Sequence, residues 1–241
     1  HGGIPSEFFE SILSTSWSFS ENRVEDVPAM MDDHPLFDDY WESKNADLSE
    51  ITVPAFVVAS WPDHGLHTRG TLRAFEEMAS EDKWLRVHGR KKWQDFYQEE
   101  ERQRQFFDKF LKEMDSEVDY WPRVDVEVRE RYFKGDERDE EEWPLARTEP
   151  TELHLDANDM ELHASPREEE STVRYDVDDA PEPTETVQFD YEFEERTELT
   201  GSMALKLWVE PEGSDDMDLF VAVDKYDRTG DRVPFPFQTI S

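Results

Sequence analysis

"ITVPAFVVASWPDHGLHTRG" (51–70) decides how the rest of the chain is read. It opens with a short apolar run rich in Val, which predicts a strand buried on both faces. Pro54 has no N–H to give to a ladder, so the regular strand begins at Ala55. The run ends in a polar turn that holds Asp63, His64 and His67 within five positions. Three readings compete for that turn: a metal site, part of a catalytic triad, and ordinary surface. The metal reading is weak. His residues at i and i+3 can share a helix face, but no HExxH pattern or second His pair accompanies them.

Downstream, "LHTRGTLRAFEEMAS" (66–80) carries Leu72, Phe75 and Met78 at helical spacing. "KWLRVH" (83–88) predicts a second strand. "QEEERQRQFFDKFLKEM" (98–114) predicts a helix with Phe106, Phe107, Phe110, Leu111 and Met114 as its apolar stripe. Residues 51–114 thus alternate β-α-β-α, the pattern of a parallel sheet covered by helices. In such sheets ligands bind beyond the carboxyl ends of the strands. Asp63 follows the first strand and His88 ends the second. That is acid before base, as in the nucleophile–acid–base chain order of α/β-hydrolases. The bland reading has Asp63 capping the following helix and His88 packing at a strand end. Spacing alone does not choose between them.

Upstream, "PSEFFESILSTSW" (5–17) and "HPLFDDYWES" (34–43) predict short, irregular helical structure. Beyond residue 120 the pattern changes. "RVDVEVRE" (123–130), "TELHLD" (151–156), "TVRYDV" (172–177), "SMALKLWVE" (202–210) and "MDLFVAVDK" (217–225) read as half-buried strands between acidic or Pro-bearing connections. They predict an antiparallel sandwich or jelly roll. The clustered acids Asp215, Asp216 and Asp218 could offer oxygens to Ca²⁺. No EF-hand spacing supports that, and a solvated loop explains them.

Composition narrows the function classes. The 241 residues hold 61 Asp and Glu against 26 Lys and Arg, a net charge of −35, with 36% hydrophobic residues. Nucleic acid and anionic membranes are excluded as partners, because phosphate binding needs basic patches. Eight Trp and sixteen Phe argue for a packed chain rather than a disordered one. Without Cys there is neither disulfide nor thiolate metal site. No apolar run approaches the roughly 18 residues that span a bilayer, and "HGGIPSEFFE" (1–10) is not a signal peptide. Acids spread along the whole chain resemble the cytoplasmic proteins of salt-accumulating archaea. A globule of this length has a radius of gyration of roughly 18 Å, against a Debye length of about 10 Å at 0.1 M salt. Its acids therefore repel one another across much of the molecule.

Several blocks together resemble the CocE/NonD hydrolases, the cocaine-esterase-like and X-Pro dipeptidyl-peptidase-like serine hydrolases. In the first half these are "HPLFDDYW" (34–41), 51–70, "KWLRVHGRKKW" (83–93) and "RQFFDKFLK" (104–112). In the second half "WPRV" (121–124), "EEWPLARTEPTELHLD" (141–156), "YDVDDAPEPT" (175–184) and "GSMALKLWVEPEGSDDMDLFVAV" (201–223) are similar to the start of that family's jelly roll. The resemblance implies an α/β plus all-β fold. Residues 1–120 would hold cap helices and the C-terminal part of an α/β-hydrolase core, and 121–241 a partial β-sandwich. It implies hydrolysis of small esters, amides or peptides through a Ser nucleophile and an acyl-enzyme, without a cofactor or metal. Asp63 matches the family's acid in its W-x-D turn. Many members carry the base a few residues further on, where this chain has "GRKKW" (89–93); either His88 is the base in this branch or the base is lost, with His67 in reserve. No G-x-S-x-G occurs, so the nucleophile is expected outside these residues. The second reading is a non-catalytic remnant or binding module whose sandwich recognises a ligand.

Overall fold

The computed structural model describes residues 25–63, 67–176 and 186–235, together with Ser11. The helix expected over 5–17 lies almost wholly outside the described residues. Two compact units divide the chain: one takes the residues up to Asp139 together with those from Leu205 onward, the other spans Glu140–Ala204.

From residue 25 on, the first unit holds two short helices, α1 (Val27–Asp33) and α2 (Asp39–Glu42). Both start on an aspartate. The Asp26 carboxylate accepts from the Ala29 N–H, and that of Asp38 from Tyr40 N–H at 3.0 Å. Each satisfies a donor that a helix start leaves open.

Strand β1 (Ala55–Ser60) starts right after Pro54, as the missing N–H requires. Helix α3 (Thr68–Glu77) then leads to β2 (Lys83–His88), which runs parallel to β1 in a register that matches Phe56 to Trp84 and Ser60 to His88. Helices α4 (Lys92–Gln98) and α5 (Glu100–Lys112) follow, and the chain returns as β3 (Val124–Arg131), parallel to β2. Strand β4 (Lys134–Glu140) completes the order β1-β2-β3-β4.

β3 differs from its sequence reading. Alternating Val and acid in "VDVEV" (124–128) predicted a half-buried strand of the sandwich, yet Val124, Asp125, Val126 and Glu127 are all buried, and the strand belongs to the parallel sheet. The acids reach the interior because each meets a donor there. Asp125 pairs with Arg86 at 2.6 Å and Arg102 at 2.9 Å, and Glu127 accepts the Gly89 N–H at 2.7 Å. A buried charge that is paired and hydrogen-bonded escapes most of the desolvation penalty.

Along β2 the side chains alternate, so Trp84, Arg86 and His88 point to one face. Over that face lies a continuous stripe from α4 and α5: Asp95, Glu99, Arg102, Phe106 and Phe110, spaced three and four residues apart. The apolar end is a cluster of Trp84, Phe106 and Val118 with Phe56, Phe110 and Trp121 packed on it. On the opposite face Leu85 and Val87 are buried, and α3 packs against β1 and β2. The stripe is thus rotated from the one that apolar residues alone predicted. Phe106 is buried, whereas Phe107, Leu111 and Met114 are exposed.

The second unit contains the pair β5 (His154–Asp156) and β6 (Glu161–His163), antiparallel, with Asp190 bridging beside Glu161. In the first unit β7 (Lys225–Tyr226) pairs antiparallel with β8 (Arg232–Val233). The stretches expected as strands at 202–210 and 217–225 join no sheet except at Lys225, and 172–176 joins none either. Trp208 and Phe220 are exposed there. No helix among the described residues is long and apolar enough to cross a membrane.

Candidate active site

His88 ends the middle of the three parallel strands, and its imidazole is 2% exposed. The backbone around it is pinned on both sides. The Ser60 hydroxyl donates to the Arg90 carbonyl at 2.7 Å, and the Gly89 N–H donates to Glu127. A Cβ at Gly89 would lie 2.5 Å from Glu127 Oε1, so a side chain there would have to displace the carboxylate that accepts the Gly89 N–H.

Asp63 is buried in the one-turn helix Trp61–Asp63 that follows β1. Its carboxylate pairs with Lys92 Nζ at 3.2 Å, and its carbonyl accepts the His67 N–H at 3.0 Å. His67 is exposed at the start of α3, with no side-chain cap there. His64 lies outside the described residues. Among the described residues the carboxylate of Asp63 meets Lys92 and no N–H of α3.

The imidazole of His88 is not joined to Asp63. Nδ1 accepts the Arg90 N–H at 3.2 Å, and Nε2 faces Asp95 Oδ2 at 3.4 Å. Asp95 is fully buried on α4 and lies 3.5 Å from Arg86 Nε. Arg86 is the centre of this polar layer, with Asp125, Glu99 and Glu137 also on its guanidinium. Burial works against the charge of Arg86, but Asp125, Asp95 and Glu99 more than offset it, and its pKa is raised. For His88 burial dominates. It pushes the imidazole down to about 4, helped by Arg86 and Arg90 and opposed by Asp95. The ring is therefore neutral at neutral pH, with a lone pair for proton transfer or for a structural hydrogen bond.

Beside His88 a groove of about 340 Å³ opens, bounded by Val58, Lys92, Trp93, Phe96 and Phe107. Its apolar walls suit an acyl or aromatic group, with one imidazole and one ammonium at its margin. Sequence reasoning missed Asp95 as a partner of His88. The signal was its place in the stripe 95, 99, 102, 106, 110, which a search for apolar residues alone passes over.

In the second unit Asp156, Asp159 and His163 bring ligand atoms within 4.8 Å of one another. Arg167 already sits on Asp156 at 2.7 Å, which meets the charge of the buried member. Asp215, Asp216 and Asp218 are exposed, and Asp216 accepts the N–H of Met217 in its own loop.

Residues 116–239 match the family model of the X-Pro dipeptidyl-peptidase C-terminal non-catalytic domain, and residues 13–94 that of X-Pro dipeptidyl-peptidase of the S15 family. The chain belongs to the CocE/NonD family of X-Pro dipeptidyl-peptidase-like hydrolases. Two crystal structures of a CocE/NonD family hydrolase from Staphylococcus aureus each share 40% identity with it at a TM-score of 0.63. The match covers 68% of this chain and 31% of that one, so the chain spans about a third of the length of these relatives. No curated protein matches it. The fold class is accordingly α/β plus β-sandwich. The α/β part is visible in β1–β3 with their helices, and residues 116–239 match the C-terminal domain of the family, with their first strand, β3, paired in the parallel sheet.

Proposed function

We propose that this chain forms the acid- and base-bearing part of a serine hydrolase. Its substrates would be small esters, amides or X-Pro peptides, cleaved through an acyl-enzyme. The attacking hydroxyl would come from residues outside these 241, since no G-x-S-x-G lies within them. His88 is the general base. It would take the proton as the serine oxygen bonds to the acyl carbon and return it to the leaving group; water would then release the acid in the same way. The observation that carries this reading is a neutral imidazole at the carboxyl end of a parallel strand, beside an apolar groove. Two carboxylates compete to orient it: Asp63 by family resemblance, Asp95 by contact. The division we propose follows the family, with 1–120 as the hydrolase part and 121–241 as the sandwich part, β3 lending itself to the sheet of the first. The acidic composition supports a cytoplasm rich in salt as the setting.

A second reading has one observation in its favour. Both ring nitrogens of His88 face groups of the protein, Nδ1 the Arg90 N–H and Nε2 the Asp95 carboxylate, as in a purely structural histidine. Fluorophosphonate labelling in molar salt separates the two. The 241-residue chain should stay unlabelled. A longer polypeptide that also carries a G-x-S-x-G element should label, and His88→Asn should abolish that labelling. Labelling of the 241 residues alone, or unchanged labelling after His88→Asn, would overturn the proposal.

A further inference from the structure

Asp95 needs an explanation that packing does not provide. It is fully buried, and neither of its carboxylate oxygens accepts a hydrogen bond among the described residues. Its nearest nitrogen neighbours are His88 Nε2 at 3.4 Å and Arg86 Nε at 3.5 Å, and neither is aligned as a hydrogen bond. Asp95 contributes to the field that keeps Arg86 charged, but the close contact of that guanidinium is Nη1 to Asp125 at 2.6 Å and not Nε to Asp95. A buried carboxylate with loose partners is costly, and such groups are kept where they serve a site.

His88 shows what it serves. The Arg90 N–H donates to Nδ1, so the ring proton of the neutral imidazole sits on Nε2, and Nε2 faces Asp95. Asp63, the other candidate, is taken by Lys92. We propose that Asp95 is the positioning residue of His88, a carboxylate carried on the helix that follows the imidazole in the chain rather than on the turn after the neighbouring strand. Asp95 holds the Nε2–H tautomer and favours the imidazolium once a proton arrives. The lone pair is then on Nδ1, and an incoming hydroxyl displaces the Arg90 amide to reach it. The pairing stands on geometry alone; its catalytic meaning rests on the reading of His88 as base.

The test is ¹⁵N NMR of the imidazoles at pH 7 in molar salt, with the His88 signal assigned by its loss in His88→Asn. The unsubstituted protein should show His88 protonated at Nε2 with an acceptor at Nδ1. Asp95→Asn should mix the tautomers, Asp95→Glu should restore the Nε2–H form, and Asp63→Asn should leave the spectrum unchanged. An Nδ1–H tautomer in the unsubstituted protein would overturn the proposal without any variant having to fold. So would a spectrum that moves with Asp63→Asn and not with Asp95→Asn. Hydrolysis is not read in this experiment. A protein that never labels with fluorophosphonate still decides the question of Asp95, and a failed Asp95 leaves the role of His88 open to the labelling test.

Discussion

At the scale of single residues, His88 carries the chain's clearest electrostatic signature. Burial depresses its pKa to about 4, while an unfolded His titrates near 6.5. Between those values the unfolded chain binds the proton and the native protein does not. Stability is therefore complete above about pH 6.5 and falls as the pH drops towards 4. Between pH 7 and pH 5 the loss should be about 2 kcal/mol from this residue. Urea unfolding across that range, in native protein and in His88→Asn, isolates the effect because the other histidines are common to both. The Asn oxygen can still accept the Arg90 N–H, so the variant should remove the slope without removing the hydrogen bond. An equal slope in both proteins would show that His88 is charged in the native state. Asp95, by contrast, was hidden in the sequence. One more acid in an acid-rich chain carries no mark of burial, and only its place opposite His88 gives it meaning.

At the scale of elements, the β1-α3-β2 unit was legible because each of its signals is local. An apolar run behind a Pro, a helical spacing and a second apolar run fix the bounds Ala55, Lys83 and His88. What alternation cannot report is which strand pairs with which. β3 read as half-buried because its acids looked solvated, when buried arginine and a backbone amide were waiting for them. The helix stripe was misplaced for the same reason: its polar half lies under protein and part of its apolar half does not. That rotation has a measurable consequence. Phe106→Ala removes a ring from the cluster with Trp84 and Val118 and should cost about 3–5 kcal/mol. Phe107→Ala, one residue on and 54% exposed, should cost less than about 0.5 kcal/mol. Denaturant midpoints of the two variants discriminate the structure from the sequence pattern, which places both rings on the core face. Similar costs for both would mean that the helix is turned about its axis relative to the arrangement described.

At the scale of the whole molecule, one quantity was plain from the sequence and no fold detail alters it: a net charge of −35 over 241 residues. The buried ion pairs neutralise only a handful of acids, and most of the remainder stand exposed along both units. In dilute buffer the field of each exposed carboxylate extends to its neighbours and disfavours any compact state. At about 1 M salt the Debye length falls to about 3 Å, shorter than the spacing of most surface charges, and the repulsion is screened. The layer around Arg86 responds differently, because pairs removed from water are screened far less. Added salt should thus relieve repulsion at the surface and leave the polar layer intact. The expected outcome is a urea midpoint that rises steeply between about 0.1 M and 2 M KCl and then flattens, with near-ultraviolet circular dichroism reporting the packing of Trp84 and its neighbours. NaCl should act like KCl, since screening depends on ionic strength rather than on a fitted site. A cooperative unfolding transition of the same midpoint in salt-free buffer would show that the acids are tolerated without screening, and a rise with one cation alone would point to bound ions instead of a diffuse atmosphere.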